Sequence, residues 1–109
     1  MPKYAKWDIY WANVAYQDDP TTIKTRPVVV NDSGDAYVVA FYVTSQSPKP
    51  GYCCYVIKHW QNAGLPMQSN IRLDKSIRLL PSDIKDRIGC LSEQDILFVQ
   101  LELARMANR

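Results

Sequence analysis

The chain has 109 residues, 47% of them hydrophobic, which is enough for a single domain, 1–109, to bury a core without metals or disulfides. Thirteen Lys and Arg against eleven Asp and Glu leave a net charge of +2, which is too small a margin to predict a polyanionic partner from composition alone. An odd number of cysteines and the lack of a signal-like N-terminus predict the reducing cytoplasm, and no apolar run approaches the ~20 residues that cross a membrane.

Four stretches in the first half of the chain are rich in β-branched and aromatic residues and predict strands at 7–14, 26–31, 36–44 and 52–57. The polar stretch 15–25 is predicted as an exposed loop. The sequence "NDSGD" between the second and third strands is typical of a turn, so we expect these two strands to pair as an antiparallel hairpin.

Two further elements are predicted in the middle of the chain. Residues 58–65 fit one helical turn that is closed by a left-handed Gly64. Residues 69–80 alternate apolar and polar side chains and therefore predict a strand with one wet face. Lys75 interrupts the apolar parity, which predicts a bend or a break at that position.

The C-terminal part of the chain changes to a helical period. A short helix is predicted at 82–87, stopped by Gly89. A longer amphipathic helix begins at Ser92, and its apolar stripe from Ile96 to Met106 predicts a core or dimer contact. Together the elements predict an α+β fold that is mainly β, a small curled sheet or barrel with a C-terminal helix packed on it.

The predicted hairpin brings together two polar residues that lie far apart in the sequence. Arg26 begins one strand where Thr44 ends the other, so pairing would place them at the same end of the hairpin. A guanidinium beside a hydroxyl suits a phosphate. The residues alone leave two structural interpretations open: Arg26 caps a strand end or pairs with Asp32 or Asp35, and Thr44 is an ordinary strand residue because it is β-branched.

Several kinds of catalytic site are excluded by what the sequence lacks. It has no Gly-rich phosphate loop, no HExxH and no Gly-x-Ser-x-Gly elbow. The single histidine, His59, cannot divide acid and base duties between two imidazoles. Cys53, Cys54 and Cys90 lack the paired CxxC spacing of zinc sites. We therefore expect neither a metal site nor a cofactor.

Five segments, taken in order from about residue 7 to residue 99, carry a family resemblance. They are "WDIYWANV", "TRPVVV", "AFYVTSQ", "GLPMQSNIRLDKSIRLL" and "DRIGCLSEQDILFV". Arg-Pro-Val and Thr-Ser-Gln are weak motifs individually. In their ordered combination with the other segments, they resemble the MazF/PemK-like toxins of type II toxin-antitoxin systems. The resemblance implies an SH3-like β-barrel with short helices and a C-terminal helix, usually as a homodimer. It also implies a sequence-selective, metal-independent endoribonuclease that cleaves single-stranded RNA and is inhibited by a cognate antitoxin.

The resemblance assigns roles to individual residues. The family's catalytic arginine and threonine fall on Arg26 and Thr44. Cleavage would use the RNA 2′-hydroxyl as nucleophile and leave a 2′,3′-cyclic phosphate and a 5′-hydroxyl, with Arg26 stabilising the extra charge. Arginine stays protonated, so the general base is left unassigned. The candidate RNA contacts are Ser45, Gln46, Asp74 and Lys75.

The sequence departs from the family pattern near its first strand. Trp7 stands where many members carry glycine, and the stretch 15–25 lacks their usual Gly-Ser-Glu-like segment, so a cleavage specificity does not transfer. Two alternatives follow. One is a DNA gyrase poison of the CcdB type, which would need no phosphate-transfer site and is therefore disfavoured by Arg26 with Thr44. The other is an inert module that only binds an antitoxin or a nucleic-acid backbone.

Overall fold

The computed structural model describes residues 4–15, 21–34, 36–45 and 53–108. It contains mostly β-strands and one C-terminal helix, which confirms the predicted α+β class. No helix within the described residues is long and apolar enough to span a membrane. In chain order the elements are β1 (Asp8–Ala15), β2 (Ile23–Ser33), β3 (Val38–Thr44), β4 (Cys54–Val56), β5 (Asn70–Leu79), a 3₁₀ turn (Pro81–Asp83), β6 (Ile84–Cys90) and α1 (Glu93–Ala107).

The six strands form a single antiparallel sheet in the order β4-β5-β3-β2-β1-β6. Strands β2 and β3 pair as the predicted hairpin. Because β4 and β6 are the two edges, strand pairing among the described residues leaves the sheet open, where the resemblance predicted a barrel. The strands predicted in the first half of the chain are all present, with shifted ends.

The predicted short helix at 82–87 is wrong. Pro81–Asp83 forms only a 3₁₀ turn, and Ile84–Cys90 is strand β6. The stretch pairs with β1, and Ile84 is buried opposite Ala12. The backbone hydrogen bonds and the core position that β1 offers outweigh the local helix propensity of this stretch.

Strand β5 bends where Lys75 interrupts its apolar parity, as predicted. In its pairing with β3, Phe41 lies opposite Ser76, but the next residue, Tyr42, lies opposite Arg72. The register therefore skips residues 73–75, which have no β3 partner. The odd-numbered residues of β5 change face at this shift, since Ile71 and Leu73 are buried in one apolar cluster of the sheet and Leu79 in the other.

The sheet has an apolar cluster on each face, and the alternation along β2 separates them. Val29 belongs to the cluster under α1, whereas Val28 and Val30 belong to the cluster on the opposite face. The helical stripe predicted at 96–106 packs on the first cluster through its partly buried residues and Val99. Its neighbours Leu97 and Leu101 point away and are each 53% exposed.

Helix α1 is anchored at its N-terminus by a fully buried carboxylate. Ser92 is the N-cap and accepts a hydrogen bond from the Asp95 N–H at 3.1 Å. The Asp95 carboxylate accepts from the Tyr55 hydroxyl, from the Lys58 and His59 N–H groups at 3.1 and 3.0 Å, and from the Ser92 hydroxyl at 3.1 Å. One side chain thus ties β4, the following turn and α1 together.

These contacts shift the pKa of both partners in the anchor. Burial would raise the pKa of Asp95, but the hydrogen bonds from Tyr55, His59, Lys58 and Ser92 outweigh it and lower the pKa below its usual value. Burial, together with the hydrogen bond to Asp95, strongly raises the pKa of Tyr55. The carboxylate is therefore ionised and the phenol neutral at neutral pH.

Two glycines hold the turn after β4 against β6. Gly64 has φ +90°, which confirms the predicted left-handed glycine, and the Ala63 N–H donates to the His59 carbonyl at 3.1 Å as in one helical turn. A Cβ on Gly89 would lie 2.1 Å from the Ala63 carbonyl oxygen. The two backbones therefore touch at a distance that only glycine allows.

Trp7 has the one positive φ angle, 74°, among the described non-glycine residues. Its N–H donates to the Val30 carbonyl at 2.8 Å, and its carbonyl accepts from the Leu91 N–H at 3.1 Å. The left-handed backbone explains why glycine suits this position. In this chain the indole is 9% exposed in the core, which offsets the backbone strain.

Candidate functional site

The register of the β2–β3 hairpin brings the two residues predicted to be catalytic to neighbouring positions. Val28 pairs with Tyr42, and two further residues along each strand reach Arg26 and Thr44. An even step keeps them on the same face of the sheet. Arg26 also pairs with Ala12 of β1, and both Arg26 and Thr44 are half-buried. The β2–β3 pairs end at Val28 and Tyr42, so the juxtaposition of Arg26 and Thr44 extends that register by two residues and stays a prediction.

The alternative ion pairs proposed for Arg26 fare differently. Asp32 lies six positions further along β2, about 20 Å away along the strand. That distance is too long for an ion pair. Asp35 lies outside the described residues. Asp32 instead accepts a hydrogen bond from the Ser33 N–H at 2.9 Å, a local turn contact.

Strand β5 adds polar residues to the face that carries Arg26. Thr44 pairs with Asn70, and Tyr42 pairs with Arg72, so both β5 residues share that face. Further across the sheet, Arg72 pairs with Cys54 of β4. We call this surface the Arg26 face. Its polar members include Arg26, Tyr42, Thr44, Asn70, Arg72 and Asp74.

Arg72 is held in place by a two-pronged ion pair with Asp74. Its Nε and Nη2 donate to Oδ1 and Oδ2 of Asp74 at 3.3 and 2.9 Å. Burial would raise the pKa of Asp74, but the hydrogen bonds and charge of Arg72 lower it overall. Arg72 was not among the residues predicted for the site. The Arg-x-Asp spacing in "IRLD" could have indicated it, because it places both side chains on one face of a strand.

Tyr42 is the second residue that sequence analysis missed. Its hydroxyl donates to the Ala15 carbonyl at 3.3 Å and so ties β3 to the end of β1. Burial raises the pKa of Tyr42, while the nearby Arg72 lowers it by a smaller amount. Tyr42 therefore remains a neutral hydrogen-bond donor at neutral pH and is a poor general base.

The four predicted RNA contacts fall in different settings. Ser45 is exposed directly after β3, next to Thr44, while Gln46 lies outside the described residues. Asp74 is engaged by Arg72. Lys75 is half-buried in the bend of β5. Of the predicted RNA contacts that the structure describes, Ser45 is exposed beside Thr44, Asp74 forms an ion pair, and Lys75 is half-buried.

The aromatic residues of β1 and its entry occupy three different settings relative to this face. Trp7 is in the core, and Tyr10 packs edge-on against Tyr4 with ring centroids 5.1 Å apart. Trp11 is half-buried and pairs with Pro27, on the opposite face from Arg26. The positions of Trp7 and Trp11 therefore do not support base stacking, whereas Tyr10 pairs with Val28 and shares the face of Arg26.

Cysteine and histidine side chains are also separate from Arg26. His59 Nε2 lies 2.7 Å from Gln94 Oε1 beside the start of α1, and Cys53 Sγ lies 3.2 Å from Met106 Sδ. Burial, with a smaller contribution from Asp74, raises the pKa of Cys54. Within the part of the chain that the structure describes, no three His, Cys, Asp or Glu side chains group in a way that could hold a metal ion.

The chain shares its architecture, an antiparallel sheet with a C-terminal helix packed on one face, with a known family of proteins. Residues 5–107 match the family of PemK-like, MazF-like toxins of type II toxin-antitoxin systems. Because this match covers nearly the whole chain, the chain belongs to that family.

Solved structures with the same fold come from mycobacteria. An endoribonuclease in complex with its cognate antitoxin superposes with a TM-score of 0.73 at 14% identity, covering 96% of this chain and 95% of that one. A second mycobacterial endoribonuclease gives 0.71 at 13% identity, covering 99% and 94%. The Mycobacterium tuberculosis toxin MazF-mt6 gives 0.68 at 16% identity, covering 93% and 96%. A search of curated protein sequences found no significant match.

Proposed function

We propose that this protein is an endoribonuclease toxin that cleaves single-stranded RNA without a metal ion. The observation that carries the proposal is the strand register that brings Arg26 and Thr44 to adjacent strands on one face. Family membership and the solved structures of endoribonucleases with the same fold support it. The Arg26 face also carries the fixed guanidinium of Arg72, so it offers two cations to a phosphate.

The chemistry requires little beyond alignment and charge stabilisation. The 2′-oxygen of the RNA attacks the adjacent phosphorus and loses its proton, while the bond from phosphorus to the 5′-oxygen breaks. The 5′-oxygen takes up a proton, which leaves a 2′,3′-cyclic phosphate and a 5′-hydroxyl. Arg26 binds a non-bridging oxygen that gains negative charge, and the Thr44 hydroxyl donates to the phosphate or orients the 2′-hydroxyl.

Cleavage of a long single-stranded RNA in EDTA, with the product ends mapped, tests this proposal. We expect discrete cuts with cyclic-phosphate ends. Arg26→Ala should lower the cleavage rate by about a hundredfold or more, the scale for losing one preorganised donor, and Thr44→Ala should also lower it. DNA lacks the 2′-hydroxyl and should not be cut.

Arg78→Ala is a matched control, because Arg78 lies in the second half of β5 over the Tyr37 ring, 5.0 Å from its centroid. It should cleave like the wild type. Full activity of Arg26→Ala would remove Arg26 from the mechanism. A folded, antitoxin-free wild type that cuts no RNA would favour the gyrase-poison or inert-module alternatives, and a DNA gyrase assay would then separate those two.

The partners of the protein follow from the same proposal. We propose a homodimer, to be checked by light scattering, and a cognate antitoxin whose acidic, extended segment covers the Arg26 face. One solved structure of the same fold is an endoribonuclease with its cognate antitoxin. Antitoxin binding should weaken in Arg26→Ala and at high salt. Equal affinity in both cases would place the antitoxin elsewhere.

A further inference from the structure

Lys24 lies on the same strand and the same face as Arg26. In the β1–β2 ladder Lys24 pairs with Val14 and Arg26 pairs with Ala12, and both β1 partners are buried in one apolar cluster. Thr25, between them, points to the other face, where its hydroxyl donates to Asn13 Oδ1 at 2.9 Å. This hydrogen bond fixes the register of the pair.

We propose that Lys24 binds the phosphate next to the one that Arg26 holds, so that the RNA backbone follows β2. The inference rests on the proposed ribonuclease function and adds a positioning residue to it. Two residues along a strand span about 6.7 Å, which is similar to the separation of successive phosphates in an extended single strand. Lys24 is exposed and Arg26 half-buried. An exposed ammonium therefore accompanies a half-buried guanidinium along the strand.

Other described lysines are placed differently. Lys58 Nζ lies over the Phe98 ring, 4.6 Å from its centroid, and Lys6 Nζ lies 5.1 Å from the Trp7 ring. Lys85 Nζ donates to the Ser82 carbonyl at 3.2 Å, on the edge strand β6. Among Lys6, Lys24, Lys58 and Lys85, only Lys24 lies on the strand and face that carry Arg26. Lys24 and Arg26 therefore form two neighbouring positive charges that suit successive phosphates.

The experiment separates binding from the chemical step. A single-stranded DNA with the sequence of the cleaved RNA segment is the binding probe, since it cannot be cut, and its Kd is measured over a range of KCl concentrations. Lys24→Gln should raise this Kd and the KM for RNA cleavage about 5- to 30-fold at low salt, with kcat changed less than about twofold. The slope of log K against log[salt] should shrink by about 0.7, the value for one lost single-strand phosphate contact.

Two variants serve as controls in the same series. Lys85→Gln removes an exposed lysine from the edge strand β6, two strands away from β2, and should match the wild type. Lys24→Arg keeps the charge and should retain most of the affinity. Thermal melts of all variants check that they fold, which the exposure of Lys24 leads us to expect.

The outcomes decide the proposal in either direction. An unchanged Kd and salt slope for Lys24→Gln would overturn it, and so would a fall in kcat with KM unchanged, because Lys24 would then act on the chemical step. A wild type that binds the DNA strand but cuts no RNA would defeat the proposed ribonuclease, while the binding series still decides whether Lys24 contacts a phosphate. A wild type that cuts RNA, with a KM that Lys24→Gln leaves unchanged, and that binds no DNA strand at any salt concentration would overturn the role of Lys24 and leave the ribonuclease intact.

Discussion

Two aspartates with lowered pKa values occupy contrasting regions of this molecule. Asp95 is fully buried and is surrounded by hydrogen-bond donors from β4, the following turn and the helix cap. Asp74 lies on the Arg26 face and is exposed, with Arg72 as its ion-pair partner. The same direction of pKa shift therefore arises from two different environments.

The contrast in burial separates a carboxylate that supports the fold, Asp95, from one that orients a side chain of the site, Asp74. Removing a buried carboxylate leaves several donors without partners, and that is a large cost in stability. An exposed ion pair contributes little to stability because water screens it, but it can fix the direction of a guanidinium. The predictions below test this division, starting with the largest effect.

Replacement of the buried carboxylate should cause the largest loss of stability. Asp95→Ala leaves the Tyr55 hydroxyl and the Lys58 and His59 N–H groups without their acceptor. We expect the free energy of unfolding in urea to fall by about 3 kcal/mol, the scale for unsatisfied buried donors. Asp86→Ala, on the exposed part of β6, should change it by less than about 0.5 kcal/mol. Equal losses would contradict the anchoring role.

The same carboxylate should make stability depend on acid. The pKa of Asp95 is lower in the folded protein than in the unfolded chain, where it is about 3.9. The unfolded chain therefore binds more protons between these two values, so stability rises with pH there. This contribution is complete above about pH 5 and is lost as the pH falls through the folded-state pKa. Urea unfolding from pH 3 to 6 should give a shallower dependence for Asp95→Asn than for the wild type.

The sequence was informative where local pattern and tertiary structure agree. The hairpin could be predicted because its β-branched runs and turn residues are adjacent in the chain. Helix α1 could be predicted from its Ser92 cap and apolar stripe. Strand β6 could not, since its pairing depends on β1, about 80 residues earlier.

The same limit explains what was missed in the site. Tyr42 and Arg72 become neighbours only through the β3–β5 register, and that register skips three residues at the bend of β5. No local pattern specifies the size of that skip. Likewise, the role of Asp95 could not be predicted, because its donors Tyr55, Lys58 and His59 lie about 40 residues earlier in the chain.

Loss of the second guanidinium on the Arg26 face should lower activity and leave stability almost unchanged. Arg72→Gln removes a cation next to Tyr42 and Cys54. We expect RNA cleavage to fall about tenfold, less than for Arg26→Ala, since Asp74 already balances part of this charge. The melting temperature should move by no more than a few degrees, because the ion pair is near the surface. A loss as large as that of Arg26→Ala would instead make Arg72 the principal phosphate ligand.

The smallest effect should come from the carboxylate that positions Arg72. Asp74→Asn keeps a hydrogen-bond acceptor for the guanidinium but removes the charge that makes the pair two-pronged. Two opposing consequences follow: the net charge of the Arg26 face becomes more positive, which favours RNA binding, and Arg72 is held less firmly, which disfavours the chemical step. We therefore expect KM to fall and kcat to fall with it, each by about two- to fivefold, and steady-state kinetics at low salt can separate the two. If kcat fell a hundredfold while the fold stayed intact, Asp74 would be acting on a proton in the reaction, and the contrast with Asp95 would be one between a structural carboxylate and a catalytic one.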